Sequence, residues 1–204
     1  MAFSLAATEK SVNAHLDRLV RILADMPATA LSRHALAEIV LIRAAFIFEE
    51  AVANLAYKLA CGAQFPNGNP DAVLVQSNSL AAARMSMRMQ GGARATPKDY
   101  LKWTRVRYIS QSVSGVLDPT SHYLTTCSKF AAPIAEIFDV RNHAAHKSSS
   151  TRRNYLKWVK NQYGQERNLQ LGYFLLTQNL SPIANINRYI TSIRVVVHDI
   201  AAGP

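Results

Sequence analysis

Residues 138–147 read FDVRNHAAHK and gather more chemically capable side chains than any other stretch of the chain. Arg141 carries a planar guanidinium whose fork matches phosphate oxygens. His146, five positions on, carries an imidazole that titrates near neutrality and can move protons. Asn142 adds an amide that could orient a group or bind phosphate. A cation, an amide and a proton carrier suit a substrate that brings its own nucleophile. RNA does so through its 2′-hydroxyl, which DNA lacks. Cleavage without a metal then needs removal of the 2′-proton, stabilisation of the charge on phosphorus, and protonation of the leaving 5′-oxygen. His146 would be base or acid, Arg141 the phosphate clamp, and Asn142 an orienting or phosphate-binding amide. Donors aimed at developing charge commonly lower such a barrier by a few kcal/mol.

The spacing sets a condition. Ile134, Ile137 and Phe138, then Val140 and Arg141, recur at helical intervals, so the stretch reads as the last turns of an amphipathic helix. At about 100° per residue, Arg141 and His146 lie roughly 140° apart on a regular helix. Asn142 and His146, four apart, share a face. One helix alone therefore leaves the site incomplete, and two copies about a two-fold axis would supply two arginines and two histidines to one groove.

Arg141, Asn142 and His146 together resemble the signature of the HEPN superfamily: an arginine, four to six spacer residues of which the first is often asparagine, then a histidine. The resemblance implies an all-α, up-and-down helical bundle with a long central helix, paired as a two-fold dimer. It also implies a metal-independent endoribonuclease of the toxin or anti-phage class, with no cofactor. Some HEPN ribonucleases add a polar residue from an early helix, a role that would fall to Glu50; the competing reading of Glu49 and Glu50 is a solvated face or a pair with Arg43 or a nearby lysine. One position departs from the pattern. Where HEPN toxins paired with a nucleotidyltransferase carry tyrosine two residues after the histidine, this chain has Ser148. That partnership is unsupported, and a different antitoxin or defence partner stays open. A catalytically inactive HEPN module that binds RNA or a partner protein is the alternative.

Composition agrees with a nucleic-acid partner. The chain has 204 residues, is 49% hydrophobic and 18% charged, and carries a formal net charge of +10. That is ordinary globular composition in one domain spanning 1–204, and the charge favours a polyanion over an acidic protein partner. Cys61 and Cys127 make no disulfide framework and suit a reducing cytoplasm. The first residues lack the basic leader and apolar core of a signal peptide. The most apolar run, 39–60, contains Arg43, Glu49, Glu50 and Lys58, too many charges for a membrane span. His143 and His146 lack the glutamate of an HExxH motif, so no metal site is expected.

Several elements must position the signature. A first helix over 4–25 carries a stripe of Val12, Leu16, Leu19 and Leu23 and stops at Pro27. A long helix over 31–61 carries Leu41, Phe48, Val52, Leu55 and Leu59, widened by Ile39, Phe46 and Ala53, and ends at Gly62. A helix is expected from Ser77 or Ser79 to about 90, followed by a flexible linker over 91–96. Thr96-Pro97 should open a basic, aromatic helix with Lys102, Trp103, Arg105 and Arg107. Ser128 would cap the signature helix, with Pro133 in its first turn. A polar break over 147–153, with Lys147, Arg152 and Arg153, leads into a second cationic and aromatic segment with Lys157 and Trp158. YLKW occurs at both 100–103 and 155–158. These cations could neutralise phosphates while rings stack on unpaired bases, or the tryptophans could anchor short helices on the core. Alternation of Leu169, Leu171, Tyr173 and Leu175 suggests a strand over 168–178. Ser181-Pro182 caps a last helix with Ile183, Ile186, Ile190, Ile193, Val197 and Ile200 on one stripe.

Overall fold

The computed structural model describes residues 3–25, 29–89, 98–178 and 183–204. The signals at Pro27, 91–96, Thr96-Pro97 and Ser181-Pro182 lie outside these residues. Among the described residues every regular element is helical: α1 (Leu5–Ala24), α2 (Ala30–Ala60), α3 (Leu80–Arg88), α4 (Val106–Val113), α5 (His122–Lys129), α6 (Ala131–His146), α7 (Ser149–Tyr163), α8 (Leu171–Leu176) and α9 (Asn185–Ala202). Among them, no helix is long and apolar enough to cross a membrane. The all-α expectation therefore holds.

Two compact units divide the chain. The first holds Met1–Val12, Glu49–Ala131 and Val195–Pro204; the second holds Asn13–Phe48 and Ala132–Arg194.

In the first unit the second half of α2 buries Val52, Leu55 and Leu59, and α4 and α5 bury Ile109, Val113, Tyr123 and Cys127. Fully burying each such side chain contributes about 1.5–3 kcal/mol. α2 stops where Gly62 adopts φ +79°, a left-handed conformation that glycine takes without a Cβ penalty. Asp71 fixes the start of α5: its carboxylate accepts from the N–H groups of His122 (2.8 Å) and Tyr123 (3.1 Å), donors no helix can satisfy internally. The Tyr123 hydroxyl donates to the Val52 carbonyl at 3.1 Å.

Two expectations fail in this unit. Residues 98–105 are not helical, and α4 begins only at Val106. The Ser112 hydroxyl accepts from the Lys102 N–H (3.1 Å) and donates to the Lys102 carbonyl (2.9 Å), which satisfies the irregular backbone there. Ser128 belongs to α5 and caps nothing, since Ser121 is the cap of α5 and α6 begins at Ala131.

The second unit is built on the first part of α2 and on α6. Leu41, Ala44 and Phe48 are buried, as are Ile134, Ile137, Phe138 and Val140, and the Phe48 and Phe138 rings meet at 5.8 Å. Glu136 of α6 takes a double hydrogen bond from the Arg188 guanidinium and a further one, at 2.9 Å, from the buried Tyr189 hydroxyl. The Trp158 Nε1–H donates to Asp139 Oδ2 at 2.9 Å, which ties α7 to α6.

The expected strand over 168–178 is instead α8, which buries Leu171, Phe174 and Leu175 at helical spacing. Gly172 is a packing requirement: a Cβ there would lie 2.4 Å from the His34 Cβ and 2.8 Å from its carbonyl oxygen. The polar break over 147–153 shrinks to Lys147 and the cap Ser148, after which α7 runs on. The two YLKW copies have different backbones, irregular at 100–103 and helical at 155–158, so they are not a structural repeat.

Candidate nucleic-acid interface

The end of α6 carries the signature. On a helix of about 100° per residue, His146 falls between Asn142 and His143, while Arg141 lies roughly 100° beyond Asn142. Arg141 is half-buried and donates from Nη1 to Asn142 Oδ1 at 3.1 Å. The guanidinium and amide thus form one unit. His146, the last residue of α6, is exposed, and no described residue holds its imidazole by a hydrogen bond or ion pair. Glu50 is also exposed but belongs to the first unit.

A tight junction follows. The Lys147 N–H donates to the His143 carbonyl at 3.0 Å, closing the last turn of α6. Lys147 itself sits at φ +47°, the left-handed region that a side chain enters at a cost of about 1–2 kcal/mol. Its ammonium pairs with Glu38 of α2 at 2.8 Å. Ser148 then starts α7, its hydroxyl accepting from the Thr151 N–H at 3.3 Å.

α7 presents a cationic face. Arg153, Lys157 and Lys160 recur at helical spacing and, with Arg167, line a groove of about 530 Å³. Lys160 is paired with Glu166 at 3.0 Å. Arg152 donates to Asn168 at 2.6 Å. Trp158 is half-buried, with the Lys157 ammonium over its ring.

A second recess, about 650 Å³, opens beside the junction and is lined by His34, Glu38, His143, Lys147, Arg152 and Tyr155, among others. The His143 ring stacks on Tyr155 and faces the Thr151 hydroxyl at 3.4 Å. Burial lowers the His143 pKa, Lys147 and Arg152 lower it further, and Glu38 opposes them. Burial holds the Tyr155 phenol well above its usual range, and its hydroxyl donates to the Leu169 carbonyl at 3.1 Å.

The first unit carries the other basic segment. Lys102 Nζ sits over the Tyr100 and Tyr108 rings, at 5.5 and 5.3 Å. Arg107 is exposed, and Arg105 is the half-buried residue before α4. Of the two readings for Trp103, stacking on bases or anchoring on the core, the structure favours the second: it is only 6% exposed and meets Tyr57 edge-on at 5.8 Å.

The second unit thus carries Arg141, Asn142 and His146 on the last turns of α6, Lys147 and Arg152 on the recess beside its end, and Arg153, Lys157 and Trp158 further along α7. Sequence reasoning missed Glu38, His34, His143, Tyr155 and Asn168 as lining residues. His143 and Lys147, one turn apart, were a visible signal; the contact between Glu38 and Lys147 left no local trace.

Comparison with family models, with curated proteins and with solved structures gives no match.

Proposed function

We propose that the chain is a metal-independent endoribonuclease of the HEPN type, working as a two-fold dimer. One observation carries the reading. The exposed imidazole of His146 ends α6, and only Lys147 and Ser148 separate it from a helix that carries Arg153, Lys157 and Lys160 along one face. A proton carrier thus stands at the head of a track of cations that suits an RNA backbone. The Arg141–Asn142 unit lies on the same turns of α6.

In this reading the RNA 2′-oxygen attacks the adjacent phosphorus, and the bond from phosphorus to the 5′-oxygen breaks. One His146 imidazole takes the 2′-proton, and the second copy's protonates the leaving oxygen. The products are a 2′,3′-cyclic phosphate and a 5′-hydroxyl. Arg141 holds the phosphate oxygens on which charge develops. A toxin or anti-phage effector in the cytoplasm, held in check by an antitoxin or defence partner, is the setting such an activity fits.

A second reading rests on the divergence of Arg141 and His146 around α6, roughly 140°. A single copy that never pairs would bind RNA without cutting it. Incubation of unstructured RNA with the purified chain in EDTA, beside Arg141→Ala and His146→Ala, separates the two. Cutting that both substitutions abolish supports the nuclease, whereas binding without cutting by the parent supports the binding module.

A further inference from the structure

The recess beside the junction is not explained by cleavage chemistry, since neither Arg141 nor His146 lines it. Two cations reach into it, Lys147 from the end of α6 and Arg152 from the first turns of α7. A single carboxylate, Glu38 of α2, lines it with them and holds the Lys147 ammonium at 2.8 Å. Among the described residues, Arg152 is held by the neutral amide of Asn168. Lys147 reaches Glu38 from the left-handed backbone that closes α6, a conformation a lysine adopts at a cost. Leu31, Ala35 and Leu169 add an apolar wall, and the recess, about 650 Å³, falls within the size range of small-ligand pockets.

We propose that this recess binds a phosphate monoester, the terminal phosphate of a nucleotide, and that the Glu38 carboxylate occupies part of the ligand's place in the free protein. The charge count selects the monoester. A phosphodiester carries one negative charge and would exchange with Glu38 at Lys147 one for one. A monoester carries about −1.5 to −2 at neutral pH and three strong acceptor oxygens, so it pairs with Lys147 and Arg152 together. The Tyr155 ring beneath His143 fixes the imidazole at the recess wall, where a bound phosphate would draw a proton onto it. The groups around that imidazole are Glu38 and His34 from α2, Lys147 just after its own helix, Arg152 and Tyr155 from α7, and Asn168. The same terminal phosphate could belong to a free nucleotide or to an RNA end.

Titration calorimetry on the full chain tests the site with AMP, adenosine, inorganic phosphate, and one short RNA with a 5′-phosphate or a 5′-hydroxyl. AMP should bind at least about tenfold more tightly than adenosine, as expected for charge-assisted hydrogen bonds. Lys147→Gly, which suits the left-handed backbone, and Arg152→Gln should each weaken AMP about tenfold or more, while Glu38→Gln should strengthen it. The His143 imidazole, followed by NMR, should titrate at higher pH when AMP is bound. A preference for the 5′-phosphorylated RNA assigns the site to RNA ends; binding of AMP without that preference assigns it to free nucleotides. No AMP binding at millimolar concentration, equal binding of adenosine and AMP, or AMP affinity unchanged in both Lys147→Gly and Arg152→Gln overturns the proposal. No RNA cleavage is needed for any of these readouts, so the site and the nuclease reading can fail separately.

Discussion

The His143 imidazole lies nearly flat on the Tyr155 ring, with centroids 5.0 Å apart and planes 12° apart. The stack joins the end of α6 to α7 and fixes one edge of the recess that Glu38, Lys147 and Arg152 share.

The stack has a consequence in pH. Burial, then Lys147 and Arg152, depress the His143 pKa, so the folded protein favours the neutral ring. The contribution to stability is complete above about 6.5, the unfolded value, and is lost as pH falls through the folded pKa. NMR titration should place the His143 midpoint below 6.5 and move it upward in Lys147→Gly, which removes a neighbouring cation. A midpoint at or above the free-histidine value in the parent contradicts the burial of this ring.

Glu136 is the acceptor for Arg188 and for the buried Tyr189 hydroxyl. Glu136→Gln leaves a half-buried guanidinium facing a neutral amide. Loss of a partner in a buried pair costs about 3–5 kcal/mol, and the part exposure of Arg188 reduces that to about 2. Urea unfolding should show a lower midpoint with an unchanged slope. A midpoint equal to the parent's would mean that solvent already satisfies Arg188.

Gly172 packs against His34, where an added methyl would overlap both the His34 side chain and its backbone. Gly172→Ala should destabilise by about 1–3 kcal/mol, the usual cost of overpacking. Thermal unfolding measures it, and the His143 resonances should shift with it, because His34 and Gly172 line the same recess. An unchanged melting temperature would show that α8 can move aside freely.

Much of this architecture can be read from spacing alone. Val12, Leu16, Leu19 and Leu23 form the buried stripe of α1, and Leu41, Phe48, Val52, Leu55 and Leu59 that of α2, as their intervals of three and four require. Ile39 and Phe46, expected to widen that stripe, are instead exposed. α8 was hidden because a six-residue element satisfies both periods. Leu169, Leu171, Tyr173 and Leu175 alternate, yet Leu171, Phe174 and Leu175 are the residues that turn inward. Residues 98–105 have helix-forming composition, but Trp103 docks on Tyr57 and Ser112 holds the Lys102 backbone, and tertiary contacts override propensity. At the candidate site, Arg141, Asn142 and His146 were legible as one helical segment. Glu38 was not, because its bridge to Lys147 spans more than a hundred residues and no periodicity announces it.

The first unit offers its own check on helix starts. Asp71 caps α5 from outside the helix, through the N–H groups of His122 and Tyr123. Asp71→Ala should cost about 1–2 kcal/mol, the value of a lost cap, and should expose these amides to faster hydrogen exchange. Unaltered exchange at 122 and 123 would show that the helix end is held by other contacts.

The most direct measurement is cleavage of an unstructured RNA by the purified chain in EDTA, with product ends identified by mass. The expected result is 2′,3′-cyclic phosphate ends, no cutting of DNA of the same sequence, and a rate loss of about 10²–10⁴-fold in His146→Ala. Arg141→Ala should lose about 10²–10³-fold. Cutting that persists in His146→Ala, or a parent protein that leaves the RNA whole, contradicts a nuclease built on the end of α6.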